Sequence, residues 1–227
     1  MDVAWGLGFI YISLWVTIDN SPLYLQYLVN GLVAVWGLRL AIYLLHRNTN
    51  KQEDYRYKQW REEWGKWVYL RSFLQVYVLQ SFLMLIIAFP IVLVSTMQEP
   101  KIGWLSAFGI IVWLIGFYWQ SVGDYQKSQF KKDRSNVGKL MTDGLWSKSR
   151  HPNYFGELMM WWGVWLVIVP YALGWIAIIS PMAISYLILK VSGVPMLEAK
   201  QSKHPDFSAY KNKVPTVFPK WINPFQR

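Results

Sequence analysis

The segment TDGLWSKSRHPNYFGELMMWWG, residues 142–163, holds the densest group of side chains able to do chemistry. Arg150 and His151 supply hydrogen-bond donors, Gly144 permits a turn ahead of them, and Pro152 suits the first turn of a following helix. On that helix Asn153 and Glu157 are four residues apart and share a face, with Tyr154 beside them. An amide and a carboxylate stacked beneath a basic loop can bind the hydroxyls, the amide or the adenine edge of a nucleotide. The other use of Glu157 is an intramembrane ion pair with Arg39 or Lys190. Polar groups at membrane depth are costly, which makes them functional candidates by default.

The elements that must position these residues are apolar. Among the 227 residues 54% are hydrophobic and only 16% charged, against about 25% charged in soluble domains. The apolar residues fall into long runs, which excludes a soluble enzyme, a disordered chain and a DNA-binding domain. Windows long enough to span a bilayer lie at residues 3–18, 23–45, 68–95, 102–122, 154–170 and 172–191. The expected fold is therefore all-α: a polytopic membrane helical bundle of about six transmembrane helices, forming a single integral membrane domain over residues 1–227. Between the second and third runs, Tyr57, Trp60, Trp64 and Trp67 recur at helical spacing opposite charged residues, the pattern of an interfacial amphipathic helix.

The net charge of +10 is not the signature of a nucleic-acid partner, because of where it lies. Basic residues cluster in the loops near 46–67 and 123–153 and in the tail 192–227, whereas the connections near Asp19 and Tyr171 hold none. Alternate loops are thus basic, and the positive-inside rule places both termini in the cytoplasm, with membrane lipids as the partners of the charge. The N-terminal run lacks a basic leader and a cleavage site, so it is expected to stay in the membrane. Cysteine is absent and the three histidines are scattered, so no metal-ligand spacing exists. No GxGxxG fingerprint follows a strand, so a dinucleotide site here would not be of the Rossmann kind.

The run GLWSKSRHPNYFGE, with EDYRY at 53–57, GDYQKSQFKKD at 123–133 and SGVPMLE at 192–198, closely resembles the DUF1295 family. That family resembles a bacterial branch of the membrane steroid 5α-reductase and sterol reductase superfamily. The resemblance covers nearly the whole chain. It implies a helical bundle in the bacterial inner membrane that holds NADPH at its cytoplasmic half and reduces a hydrophobic enone or olefin. Arg-His-Pro-x-Tyr also occurs in isoprenylcysteine and phospholipid methyltransferases, so an S-adenosylmethionine-dependent lipid or prenylcysteine methyltransferase is the alternative. An acidic residue at Glu157 resembles the reductases; the methyltransferases usually have an apolar or aromatic residue there.

Carried over residue by residue, the resemblance implies that Asn153, Tyr154 and Glu157 bind the cofactor, with Asp124 near its adenosine or ribose and Lys131 at a phosphate. Gln120 falls where the reductases have an amide near the nicotinamide, and Arg150 and His151 belong to the loop over the pyrophosphate. Glu198 joins this set, although it also matches an acidic residue of the methyltransferases. Hydride transfer to an activated double bond also needs an acid. The steroid reductases use a Gln-Glu pair and a Tyr, and this chain departs from that pattern: Asp2 is nearest to the acid and Tyr43 to the Tyr, while Gln52-Glu53 lies in a polar loop and inherits no role.

Overall fold

A computed structural model describes residues 2–18, 24–48, 61–97 and 102–220, the side chains of Asp2 and Val3 excepted. Among these residues there are helices and no strands. They fall into two compact units, Met1–Lys101 and Ile102–Arg227.

In the first unit α1 (Asp2–Ile18) and α2 (Tyr24–Asn48) form an antiparallel pair. Gly6 lies against Gly37, where a Cβ would come within 2.5 Å of the Gly37 carbonyl oxygen, so the absence of side chains lets the backbones touch. Phe9 fills the adjoining layer, edge-on to Trp5 and Trp36. Helix α3 (Arg61–Ile87) follows, with a left-handed Gly65 separating its first turn from the long apolar part. The aromatic segment 51–60, where the interfacial helix is expected to begin, lies outside the described residues. The apolar run 68–95, expected to be one span, divides: α3 ends at Ile87 and a short α4 (Phe89–Ser95) begins after Ala88. Pro90 is the cause, because it has no N–H to give to the carbonyl of Ile86 and its ring clashes there, whereas in the first turn of α4 no such N–H is needed.

The second unit is built on α5 (Trp104–Lys132) and α6 (Pro152–Ile168), which run antiparallel. Glycines seven residues apart, Gly109, Gly116 and Gly123 on α5 and Gly156 and Gly163 on α6, line their seam. A Cβ at Gly116 would come within 2.6 Å of the Gly156 carbonyl oxygen, and one at Gly163 within 2.8 Å of the Gly109 carbonyl oxygen. After a turn in which Leu173 takes a left-handed φ of 61°, a 3-10 stretch leads into α7 (Ile179–Tyr186), so the apolar segments 154–170 and 172–191 are two separate elements. Trp162 Nε1 donates to Ser185 Oγ (3.2 Å), tying α7 to α6. Two tail helices, α8 (Val194–Gln201) and α9 (Phe207–Lys213), complete the unit.

Burial is inverted relative to a soluble protein. On α5, Phe108, Ile111, Leu114 and Ile115 are exposed, while Gln120 and Asp124 are buried. Four stretches, Tyr24–Asn48, Arg61–Ile87, Trp104–Lys132 and Gly174–Gln201, are long and apolar enough to cross a membrane. An apolar exterior around polar interior groups is what an integral membrane protein requires.

Candidate functional site

The glycine seam brings a carboxamide and a carboxylate together. Gln120 of α5 donates from Nε2 to Glu157 Oε2 on α6, and Trp161, one turn further along α6, donates from Nε1 to Glu157 Oε1 at 3.1 Å. Each carboxylate oxygen thus accepts one hydrogen bond from a neutral donor. All three side chains are buried. A carboxylate can only accept, so it also fixes the Gln120 amide with its nitrogen toward Glu157.

One turn beyond Gln120, Asp124 is 3% exposed, on the same face of α5. Between them Gly123 meets Pro152 and the backbone nitrogen of Asn153, so the C-terminal half of α5 abuts the first turn of α6. Asn153 Oδ1 is buried there with no hydrogen-bond partner among the described residues. His151 caps this end of α6, fully buried and stacked on the Tyr154 ring at 5.4 Å and 16°. Burial lowers the His151 pKa to about 4; Glu198 opposes the shift, while the charges of Lys127 and Arg150 add to it. The imidazole is neutral at physiological pH. Lys127 Nζ sits 4.1 Å from the Trp146 ring centroid, and Lys131 is exposed at the end of α5.

Arg150 has a different setting from the open, phosphate-facing loop that the sequence suggests. Its Nε donates to Glu198 Oε1 (2.8 Å) and its Nη2 to the same oxygen (2.6 Å) and to Thr216 Oγ1 (2.9 Å). Its Nη1 donates to the carbonyls of Lys211 (3.2 Å) and Val214. These contacts engage all five N–H groups of the guanidinium. Glu198 Oε1 is also 3.4 Å from His151 Nε2. Around this knot the tail is fastened to the loop before α6: Arg150 N donates to Pro215 O (2.9 Å), Ser149 Oγ to Val217 O (2.7 Å) and Tyr210 Oη to Trp146 O (2.6 Å). Trp146 Nε1 in turn donates to Gly123 O (3.0 Å) on α5. Gly144 starts the loop with a left-handed φ of 60°, as its place in the sequence suggests.

Gln120, Asp124, Asn153, Tyr154, Glu157, Arg150, His151 and Glu198 therefore gather around one end of the α5–α6 pair. The two acid candidates belong to the first unit. Tyr43 lies on α2 with the guanidinium carbons of Arg39 and Arg47 at 5.3 and 5.7 Å from its ring centroid. Asp2 begins α1, and its side chain lies outside the described residues. Trp161, Lys127, Trp146, Thr216 and Tyr210 were not singled out from the sequence. Trp161 was the most accessible of these, since it lies four residues after Glu157 and so on the same helix face.

Comparison with known proteins supplies a further constraint. The family model described as "Protein of unknown function (DUF1295)" matches residues 1–214. The chain is 30% identical over 75 residues to the Delta(14)-sterol reductase of Saccharomyces cerevisiae, a match spanning 29% of this chain and 17% of that reductase. It is 23% identical over 247 aligned positions to an uncharacterized protein of Schizosaccharomyces pombe, covering 97% of this chain and 70% of the other. No solved structure matches the chain significantly.

Proposed function

The chain belongs to the DUF1295 family, and from that premise we propose that it is a membrane-embedded, NADPH-dependent reductase of a hydrophobic enone or olefin of steroid, sterol or isoprenoid type. The observation that carries this reading is the buried Gln120–Glu157 pair, held by Trp161 beside Asn153. The similarity to a sterol reductase supports the same reaction class.

The residues present fit the nicotinamide dinucleotide in part. Asn153 Oδ1 is a buried acceptor without a partner among the described residues, suited to a carboxamide N–H or a ribose hydroxyl. Asp124 is a second buried acceptor group, and Lys131, Lys132 and Arg134 cluster at the nearby end of α5 for phosphate charge. Arg150, with its donors engaged by Glu198 and the tail, contributes by holding the loop and His151 in place. NADPH, when bound, supplies the hydride.

Glu157 favours this chemistry over the alternative. A hydride donor gains positive charge as it reacts, and a fixed buried carboxylate stabilises that change. A methyl-donating sulfonium loses positive charge, so the same carboxylate would stabilise the state before transfer and slow the reaction. Reduction of a double bond also consumes a proton, for which Tyr43 and Asp2 are the candidate sources in this reading. The basic loops support a cofactor end on the cytoplasmic side, together with both termini, in what this reading takes to be a bacterial inner membrane.

The test is a thermal-shift titration of the detergent-purified full chain with NADPH, NADH and S-adenosylmethionine side by side. A ligand that binds only the folded state stabilises it by about 2.7 kcal/mol at a hundred times its Kd. A rise with NADPH is expected. A rise with S-adenosylmethionine instead would overturn the reductase reading in favour of a methyltransferase.

A further inference from the structure

The α1–α2 pair holds a second polar group that the cofactor reading does not use. Asn30 Nδ2 donates to Thr17 Oγ1 (2.7 Å) and reaches Ser13 O at 3.4 Å, while Thr17 Oγ1 donates to the same carbonyl at 2.7 Å. Gln26 Nε2 donates to Val16 O at 3.3 Å. Two atoms of this cluster, Ser13 Oγ and Asn30 Oδ1, are buried with no hydrogen-bond partner among the described residues.

Ser13 is the more telling of the two. A serine inside a helix usually turns its hydroxyl back to the carbonyl four residues earlier. The Ser13 hydroxyl makes no such bond, and the residue is 4% exposed. Its backbone carbonyl serves the helix pairing; its side chain does not. The pair is already joined by the Gly6–Gly37 contact and by Phe9 against Trp36, so an alanine at Ser13 would serve packing equally well. An unsatisfied polar atom in apolar surroundings carries a penalty, and polar side chains at membrane depth mark ligand contacts.

The chemistry of the two atoms narrows the ligand. Asn30 Oδ1 can only accept, whereas Ser13 Oγ–H can donate. A hydroxyl satisfies both, donating to Asn30 and accepting from Ser13. A carbonyl or ether would leave Asn30 unsatisfied, an ammonium would leave the Ser13 proton without an acceptor, and a carboxylate would set like charge against the Asn30 oxygen. The cluster lies at the end of α1–α2 away from His46 and Arg47. Along α2, Asn30 is thirteen residues before Tyr43, about 20 Å at the helical rise.

We infer that Ser13 and Asn30 form a binding site for the hydroxyl group of an otherwise apolar alcohol, elongated as a sterol or a polyisoprenol is. This deepens the proposed function, on which it rests for the identity of that alcohol as the substrate. The reacting double bond then belongs at the end of the molecule distant from its hydroxyl.

The experiment uses the full chain in phosphatidylcholine nanodiscs, with cholesterol and geranylgeraniol each titrated against its own methyl ether. An ether cannot donate to Asn30, so at least one alcohol is expected to bind about tenfold more tightly than its ether. Ser13→Ala, whose side chain makes no hydrogen bond to lose, should keep its melting temperature and weaken the alcohol and its ether alike, since the oxygen of either accepts from Ser13; Asn30→Leu should bring the ratio toward one. Equal binding within both pairs, no binding of either alcohol, native affinity for the alcohol in Ser13→Ala, or a preference unchanged in Asn30→Leu overturns the inference. An NADPH titration of the same sample separates the two readings. NADPH stabilisation without an alcohol preference removes only this site, and an alcohol preference without NADPH stabilisation removes only the reductase.

Discussion

Gln120 on α5 and Glu157 on α6 are hydrogen-bonded at the level where Gly116 meets Gly156, so a polar pair inside an apolar bundle depends on two residues that have no side chain. Backbone contact removes room for lipid or water between the helices and fixes the separation at which an amide can reach a carboxylate. Packing and site chemistry are therefore one feature here, and a change in either should be felt in the other.

Gly116→Ala tests that dependence. The new Cβ would come within 2.6 Å of the Gly156 carbonyl oxygen and 2.8 Å of Met160 N, both backbone atoms that can yield only if the helices separate. A loss of about 1–3 kcal/mol is expected from overpacking, together with loss of the NADPH-induced rise in melting temperature. Gly31→Ala is the control: nothing lies within 4 Å of a Cβ there, and stability should be unchanged or slightly higher.

Glu157→Gln keeps the shape of the site and removes the acceptor-only character that fixes Gln120. Cofactor affinity should fall by more than the melting temperature would suggest, read as a shifted NADPH titration midpoint at nearly native stability. The converse, native affinity with lost stability, would make Glu157 a structural group. Trp161→Phe removes the indole donor to Glu157 together with part of a buried ring, and should weaken NADPH binding by roughly tenfold or less, the value of one hydrogen bond, with some loss of melting temperature from the void left behind.

Lys131→Ala addresses the 2′-phosphate. Lys131 is exposed at the end of α5, and its removal should lower NADPH affinity several-fold while leaving NADH affinity nearly unchanged. An equal loss for the two cofactors would withdraw Lys131 from the phosphate.

Arg150→Lys should release the tail. A lysine ammonium cannot reproduce the fork that reaches Glu198, Thr216 and the carbonyls of Lys211 and Val214 together. The ammonium keeps a charge opposite Glu198 but loses several of the five hydrogen bonds, each worth about 0.5–1.5 kcal/mol. Limited proteolysis should then cut within residues 203–220 at protease levels that leave the native chain whole. A tail equally resistant in the variant would show that the small core of Phe207, Tyr210 and Val214 holds it unaided.

Much of this architecture can be read along the chain. The apolar runs mark the helices, Pro152 marks the start of α6, Gly144 marks the turn before it, and the spacing of Asn153 and Glu157 puts them on one face. What resisted reading is long-range. The seven-residue spacing of Gly109, Gly116 and Gly123 is visible in the sequence, but spacing does not say which helix approaches, and hence not that Gln120 meets Glu157. Arg150 looks like a free cation beside a basic loop because its partners lie 48 to 66 residues downstream. The break at Ala88 was locally encoded by Pro90, and the continuity of apolar residues on both sides concealed it.

His151 gives the last expectation, a pH dependence of stability. Its pKa is lowered to about 4 by burial, from an ordinary value of 6.5 that the unfolded chain retains. Between these values the unfolded state takes up a proton and the folded state does not, so stability rises with pH across that interval. The contribution of the neutral imidazole is complete above pH 6.5 and is lost as pH falls from about 6.5 toward 4. Melting temperature should therefore decline over that window in the native chain and decline less in His151→Gln, which cannot charge. Parallel declines would mean that His151 ionises in the folded protein as readily as in the unfolded one. Glu198, 3.4 Å away, would then outweigh burial. Glu198→Gln should carry the decline to lower pH, by removing an anion that favours the charged ring.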